Sequence, residues 1–342
     1  MTGHISKKII LEAIQQAISN RDSLDSLKRR LANAENLPAP STSELLSAYR
    51  SLLKKKKIKR ALELEKLLQK RRVRTLSGVA IIAVLTKPYP CPGQCVYCPL
   101  EPGMPKSYLK SEPAAARAYL NKFDPYKQVL TRLISLYQNG HPIDKIELIV
   151  KGGTWSSYRY NYQLWFISEC FRACNEFRVT STMPEKTQSD APKELEIAFL
   201  EKTLIKQQRK NETARSRIIG LNIETRPDYI TPDEIKRLRL IGCTRVEIGL
   251  QHTDTEILSI TKRGHTLEQV KQAMKLLKDA GFKTDLHLMP QLPGSTPQKD
   301  YQMIAEVFAN THLRPDMVKI YPCAVMKNTE LFKWYQAGSF TP

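Results

Sequence analysis

Three of the seven cysteines, Cys91, Cys95 and Cys98, fall within eight residues as C-x3-C-x2-C, in the stretch CPGQCVYCP. Two prolines and a glycine hold this stretch out of any helix. Three thiolates on one short loop form a metal-ligand set. A structural zinc site wants four protein ligands, commonly two C-x2-C pairs. The other cysteines, Cys170, Cys174, Cys243 and Cys323, make no second pair at that spacing. Cys170 and Cys174 stand one helical turn apart and read as core residues. Cubane iron–sulfur clusters normally take four thiolates. With three, one iron keeps an open position, where chemistry can occur. A zinc knuckle, or three incidental cysteines, is the competing reading.

The elements that must hold such a loop follow from the rest of the chain. At 342 residues, 41% hydrophobic and 26% charged, it can bury a large core in one or two domains. An odd cysteine count with three so close argues against a disulfide framework; in a reducing compartment such a cluster reads as a metal site. No apolar run approaches about 18 residues, so no membrane span is expected. The N-terminal MTGHISKKIILEAIQQAISN is amphipathic and has no cleavage site, which points to the cytoplasm.

Residues 1–75 read as helical. Ile9, Ile10, Ala13, Ile14 and Ile18 fall near one face, and Ser41 or Ser43 caps a second helix over SELLSAYRSLLKK. From residue 76 to 342 strand and helix alternate. Six apolar strands (GVAIIAVLTKP, KIELIVKGG, RIIGLNIETRP, TRVEIGLQ, KTDLHLMP, MVKIYP) are separated by helical patterns, which predicts an α/β fold with a parallel sheet. One helical region runs from about Glu112 to Tyr137 with a break at Asp124-Pro125. A polar insertion is expected at about 178–217, with one helix near Pro192–Arg209. Cys91, Gly152-Gly153-Thr154, Glu224 with Arg226, Gln251, His287 with Met289, and Tyr321 all follow strands. Ligands bind at the carboxyl ends of parallel strands, so these residues would line one site.

The net charge is +20, and residues 1–75 carry 18 Lys+Arg against 7 Asp+Glu. The densest run is Lys54, Lys55, Lys56, Lys57, Lys59 and Arg60, followed by Lys70, Arg71, Arg72 and Arg74. Such a field attracts a polyanion, nucleic acid first; a solvated helical face is the competing reading.

C-x3-C-x2-C with Tyr97 before the last cysteine, after the first strand of a parallel α/β fold, resembles the radical S-adenosylmethionine superfamily. The resemblance implies a partial (β/α)6 barrel and a 4Fe–4S cluster on Cys91, Cys95 and Cys98. It also implies S-adenosylmethionine on the fourth iron, cleaved reductively to a 5′-deoxyadenosyl radical. Tyr97 would flank the adenine and Gly152-Gly153 would admit the methionine amino group. Thr154, Glu224, Arg226, Gln251, His287 and Met289 complete the expected ligand site. The segments SYLKSEPAAARA, FDPYKQV, GHPIDKIELIVKGGTW, NIETRPDYI, GCTRVEIGLQ, RGHT, HLMPQLPG, RPDMVKIYP and NTELF, between Thr75 and Gly338, closely resemble the Elongator catalytic subunit and the prokaryotic tRNA uridine-34 carboxymethyl synthases.

That family resemblance implies carboxymethylation at C5 of the wobble uridine of tRNA, with acetyl-CoA as donor. Lys145 would contact acetyl-CoA, Lys319 and Tyr321 would lie near the substrate base, and the basic helical region would bind tRNA. The cysteine spacing is the shorter superfamily form. The family continues into an acetyltransferase-like domain, whereas this sequence stops at Pro342. Three readings stay open: a truncated product, a separate acetyl-CoA-binding chain or Elongator-like subunits as partners, or another reaction. The alternatives are a radical tRNA modification with another donor, and a tRNA-binding iron–sulfur protein that needs a partner for activity.

Overall fold

A computed structural model describes residues 2–192 and 195–342, in two compact units. The first takes the chain as far as Ile81, together with Thr131–Ile146 and Phe177–Thr182. Its helices are α1 (Thr2–Gln15), α2 (Arg21–Ala34), α3 (Thr42–Lys54) and α4 (Leu62–Leu68). Ile5, Ile9, Ile10 and Ala13 of α1 are buried against Leu24 and Leu27 of α2, Leu45, Tyr49 and Leu52 of α3, and Leu64 and Leu68 of α4. Ile14 and Ile18 pack at the margin of this core. Of the two candidate caps, Ser41 starts α3: its hydroxyl accepts from Glu44 N (3.3 Å), and Glu44 accepts from Ser41 N (2.8 Å). A capping box of this kind satisfies two donors that the helix start would leave orphaned. The buried Tyr49 phenol is satisfied too, accepting from Ala61 N (2.8 Å) and donating to Glu65 (3.0 Å).

The second unit holds most of the sheet. The strands are β1 (Ala80–Leu85), β2 (Lys145–Lys151), β3 (Arg217–Thr225), β4 (Arg245–Gln251), β5 (Lys283–Leu288) and β6 (Met317–Ile320). They lie side by side in chain order, all parallel, curling into a partial barrel. Between and after them run α5 (Pro113–Leu120), α6 (Pro125–Gln138), α7 (Tyr160–Glu176), α8 (Ile197–Asn211), α9 (Pro232–Leu240), α10 (Thr255–Ile260), α11 (Leu267–Asp279), α12 (Pro297–Ala309) and α13 (Glu330–Gln336). All six expected strands are present, and the break at Asp124-Pro125 separates α5 from α6. In the polar segment the helix starts at Ile197, and Lys193 and Glu194 of the expected helix lie outside the described residues. Helices α10 and α13 were not expected; at 6 and 7 residues they are too short to display a period.

Register decides what meets in the barrel. Glu224 on β3 is the partner of Glu247 on β4, and Glu247 is the partner of Asp285 on β5. Three carboxylates therefore occupy one row across adjacent strands. Gly249 pairs with His287, and His287 with Lys319 on β6, in the next row on the same face.

Candidate functional site

The cysteine loop follows β1. It is pinned by two backbone bonds, Val96 N to Thr261 O (3.2 Å) and Leu331 N to Val96 O (2.9 Å). Cys95, Val96 and Tyr97 pack into a small core with Ile257, Leu292, Cys323 and Leu331. Gly93 leaves room for the Arg226 guanidinium. A Cβ there would stand 2.7 Å from the Arg226 guanidinium, and 3.6 and 3.7 Å from the Cys91 and Cys95 sulfurs. The Gly93 carbonyl accepts from Lys106 Nζ at 2.5 Å.

Each of the three sulfurs has a polar neighbour. Cys91 faces Thr154 Oγ1 at 3.6 Å, and Cys98 faces Ser107 Oγ at 3.1 Å. Cys95 accepts from Arg263 Nη1 at 3.3 Å. Cys95 is pulled down to about 4, chiefly by its hydrogen bond with Cys98 and, against burial, by the Arg263 charge. Cys98 is pushed up in return, because the pair shares one proton. A cation beside a thiolate is the arrangement expected around an anionic metal–sulfur group.

At the end of β2, Gly152 (φ +131°) and Gly153 (φ +86°) take left-handed conformations. The two glycines are needed for different reasons. A Cβ on Gly152 would collide with Thr86 Oγ1 at 1.9 Å. A Cβ on Gly153 would meet nothing closer than 3.9 Å, so its backbone is open to an incoming group. Behind the pair, the Thr86 hydroxyl donates to the Tyr158 phenol (2.8 Å), which donates to Lys87 O (2.7 Å), tying the end of β1 to the turn after β2.

The carboxylate row forms the floor. Tyr108 donates to Glu224 at 3.0 Å, and Lys151 pairs with Glu224 at 3.1 Å and also with Glu247. Glu247 is fully buried and bonded to Lys319, Asn222 and His287 Nε2, the last at 3.0 Å; Lys319 also reaches Asp285 at 3.3 Å. Burial alone would raise the Glu247 carboxyl. The His287 hydrogen bond and the two lysines more than reverse that and hold it well below the usual carboxylate range. Glu224 is likewise lowered, with Lys151 and His287 outweighing burial. The ligand atoms of Glu247, Asp285 and His287 lie within 4.8 Å of one another, a spacing that could hold a metal ion. Here the cation places are filled by the Lys151 and Lys319 ammonium groups, so the cluster is an ion-pair network.

Cavity and floor bring most of the expected residues together. A cavity of about 370 Å³ is lined by Cys91, Cys95, Cys98, Tyr97, Gly153, Thr154, Glu224, Arg226, Gln251, Met289 and Tyr321. Its wall also uses Lys106, Ser107, Tyr108 and Arg263, which lie inside or beside the quoted motifs without having been singled out. Arg226 is fixed there by Asp228 (2.9 and 3.1 Å) and by the carbonyls of Arg263 (3.0 Å) and Gly264 (3.1 Å). Gly152 shapes the wall from behind. His287 and Lys319 belong to the floor network, with the His287 ring 5.5 Å from that of Tyr321. Lys145 is the first residue of β2, belongs to the first unit and is not among the residues lining the cavity. Glu247, unmarked in the sequence reading, had one available signal: a lone acid inside the apolar run of β4 must find cations.

One buried polar atom in this wall, Gln251 Oε1, lacks a hydrogen-bond partner, and the buried Tyr97 hydroxyl lies against the Cys95 sulfur. Gln251 also adopts φ +74°, a strained backbone for a side-chain-bearing residue. Three clustered sulfurs, an open glycine backbone and an orphaned amide oxygen fit a cluster with a polar organic ligand beside it. The ten basic residues expected to meet nucleic acid all lie in the first unit and are exposed. Arg60 among them is paired with Glu65 at 2.9 Å.

Comparison with known proteins gives concordant matches. The Radical SAM superfamily model matches residues 89–306. A relative named tRNA uridine(34) acetyltransferase, from Methanocaldococcus infernus, is 42% identical over 309 residues, 89% of this chain and 52% of the relative. Elongator complex protein 3 of Bos taurus is 32% identical over 349 residues, 97% of this chain and 58% of the relative. Among solved structures, the archaeal Methanocaldococcus infernus Elp3 with an N-terminal deletion superposes with a TM-score of 0.60 at 39% identity, over 78% of this chain and 50% of that one. The chain spans a little over half the length of these curated relatives. Among the described residues no helix is long and apolar enough to cross a membrane.

Proposed function

The chain belongs to the radical SAM superfamily, and on that premise we propose that it modifies the wobble uridine of tRNA, adding a carboxymethyl group at C5 with acetyl-CoA as the donor. Membership in the superfamily implies a 4Fe–4S cluster and S-adenosylmethionine. Bound together and reduced by one external electron, these would supply a 5′-deoxyadenosyl radical for hydrogen-atom abstraction, with methionine as the other product. The observation that carries the reading is the cavity itself, where Cys91, Cys95 and Cys98, the open Gly153 backbone, Tyr97 and Gln251 line one space.

The chain's own residues divide the work. Cys91, Cys95 and Cys98 hold the cluster, and Arg263 balances charge at Cys95. The Gly152-Gly153 turn admits the amino group of the methionine part. Glu224 stays ionised and accepts hydrogen bonds from the ligand as it does from Tyr108. Gln251 and Tyr97 offer polar atoms along the adenosyl part, and Met289 packs beside them. Tyr321, half-exposed at the cavity mouth, faces the substrate base. Lys319 acts from behind, by holding Glu247 and so the floor. Any contact of Lys145 with acetyl-CoA falls outside this cavity. The exposed basic residues of the first unit bind the tRNA backbone, and the protein works in the cytoplasm.

The relatives' printed names, with uridine 34 and acetyl transfer in them, favour this substrate and donor. The test is mass spectrometry of wobble uridine in tRNA incubated with reconstituted protein, S-adenosylmethionine, dithionite and acetyl-CoA, with and without an added acetyltransferase-like domain from a relative. A carboxymethyl mass at position 34 in either arm supports the reading. 5′-Deoxyadenosine production with unmodified uridine in both arms would refute the proposed substrate and donor.

A further inference from the structure

The basic residues of the first unit are not equivalent. Lys54 to Lys57 lie at and just past the end of α3, exposed and bordering no cavity described in the first unit. Lys70, Arg71 and Arg74 instead border a pocket of about 170 Å³ whose other wall is Arg132 and Ser135 of α6. Four cationic side chains from two separate chain segments converge on it, and no carboxylate lines it. We propose that this pocket is a discrete phosphate-binding site that grips one backbone phosphate of the RNA substrate. Its assignment to RNA rests on the tRNA reading above; its affinity for phosphate does not.

Three features show a built pocket. First, the two segments are locked backbone to backbone, with Lys70 N donating to Asn139 O at 3.0 Å. Gly140 permits that approach: a Cβ there would lie 3.2 Å from Gln69 Cα. Second, Arg71 sits at φ +53°, a left-handed conformation that a side-chain-bearing residue keeps only where the surroundings dictate it. Third, the buried His141 pins the same corner. Its Nδ1 lies 2.9 Å from Thr75 Oγ1, which in turn accepts from Gln69 Nε2 at 3.2 Å.

The electrostatics agree with the geometry. Burial first, then the charges of Arg132 and Arg74, hold the His141 imidazolium below its ordinary range. Cations from the two walls therefore act on the same small space. The volume, less than half that of the cluster cavity, suits a single oxyanion. Phosphate fits best, because guanidinium forks from two sides can meet several of its oxygens at once and the Ser135 hydroxyl adds a neutral donor.

The experiment uses the full chain, with Arg132→Gln, Arg74→Gln and the conservative Arg132→Lys. Inorganic phosphate is titrated while the ring resonances of His141 are followed, and tRNA binding is measured across a salt series. Phosphate should shift His141 saturably in the wild type and not in Arg132→Gln. Either glutamine variant should weaken tRNA binding roughly tenfold or more and reduce the log–log salt slope by about 0.7 to 0.9, with partial recovery in Arg132→Lys. Should Arg132→Gln fail to fold, the exposed Arg74→Gln still decides. An unmoved His141 resonance, or tRNA binding with unchanged affinity and slope in Arg74→Gln, overturns the pocket. A saturable phosphate site in a protein that binds no tRNA overturns the assignment to RNA and the substrate reading with it.

Discussion

The guanidinium of Arg263 donates to the Cys95 sulfur at 3.3 Å and to the Gly249 carbonyl at 2.7 Å, joining the cysteine loop to the end of β4. Both residues are buried. Arg263→Gln would leave the sulfur side of the loop without its cation. Breaking a buried charged pair in this way costs about 3–5 kcal/mol. Iron per chain after anaerobic reconstitution should fall, and the melting temperature should drop. Iron content and melting equal to wild type would show that Arg263 is incidental to the site.

Cys95→Ser should abolish cluster assembly while the chain stays folded. Among the described residues Cys170, Cys174 and Cys243 are buried in the core away from the loop; Cys323 borders the same cavity and packs in the loop's small core. Burial pushes all four thiols up, so none offers a ready thiolate in exchange. Iron near the wild-type level, with an unchanged far-ultraviolet circular dichroism spectrum, would contradict the three-thiolate assignment.

The two glycines should separate. Gly152→Ala places a Cβ 1.9 Å from Thr86 Oγ1 on top of an unfavourable φ. Gly153→Ala carries only the conformational cost, roughly 1–2 kcal/mol, since nothing lies within 3.9 Å. Thermal unfolding should therefore be lowered far more by the first substitution. The second should chiefly weaken S-adenosylmethionine binding, read by equilibrium dialysis. Equal melting temperatures would contradict the assigned clash.

Acid should destabilise the sheet through its buried carboxylates. Glu247 and Glu224 are held below their ordinary range in the folded chain. The unfolded chain therefore binds more protons as pH falls below about 4.3. Their contribution is complete above that pH and is lost as pH drops through the folded values. Glu247→Gln removes one such group and should flatten the acid limb of a stability-versus-pH curve, at the cost of lower stability near pH 7. An acid limb as steep as wild type would mean that other groups set it.

Replacing Lys54, Lys55, Lys56 and Lys57 with glutamine should weaken tRNA binding without changing S-adenosylmethionine cleavage in the absence of tRNA. Each lost phosphate contact flattens the log–log salt slope by about 0.7 to 0.9. An unchanged slope would make this run a solvated surface.

Much of this protein can be read along the chain. Local pattern dictates the six strands, the break at Asp124-Pro125 and a serine cap at Ser41 or Ser43, because burial periodicity, proline sterics and capping act over a few residues. The same holds for Cys91, Cys95 and Cys98, whose spacing on one loop is itself the signal. Glycine pair, acidic residue and arginine announce themselves by standing at strand ends. Lys145 opens β2 and does not stand at a strand's carboxyl end, so its expected role comes from the family resemblance alone.

What only the tertiary structure decides is which distant charges meet. Glu224, Glu247 and Asp285 become one row through the register of three strands that lie 23 and 38 positions apart in the chain, and Lys151 and Lys319 come from two further strands to neutralise them. Arg263 reaches Cys95 across 168 positions. Arg132 joins Lys70, Arg71 and Arg74 where one backbone closes on another beside Gly140. Local propensity carries no information about such pairings. They follow from strand order, register and packing, and those are settled by burial of the whole core at once.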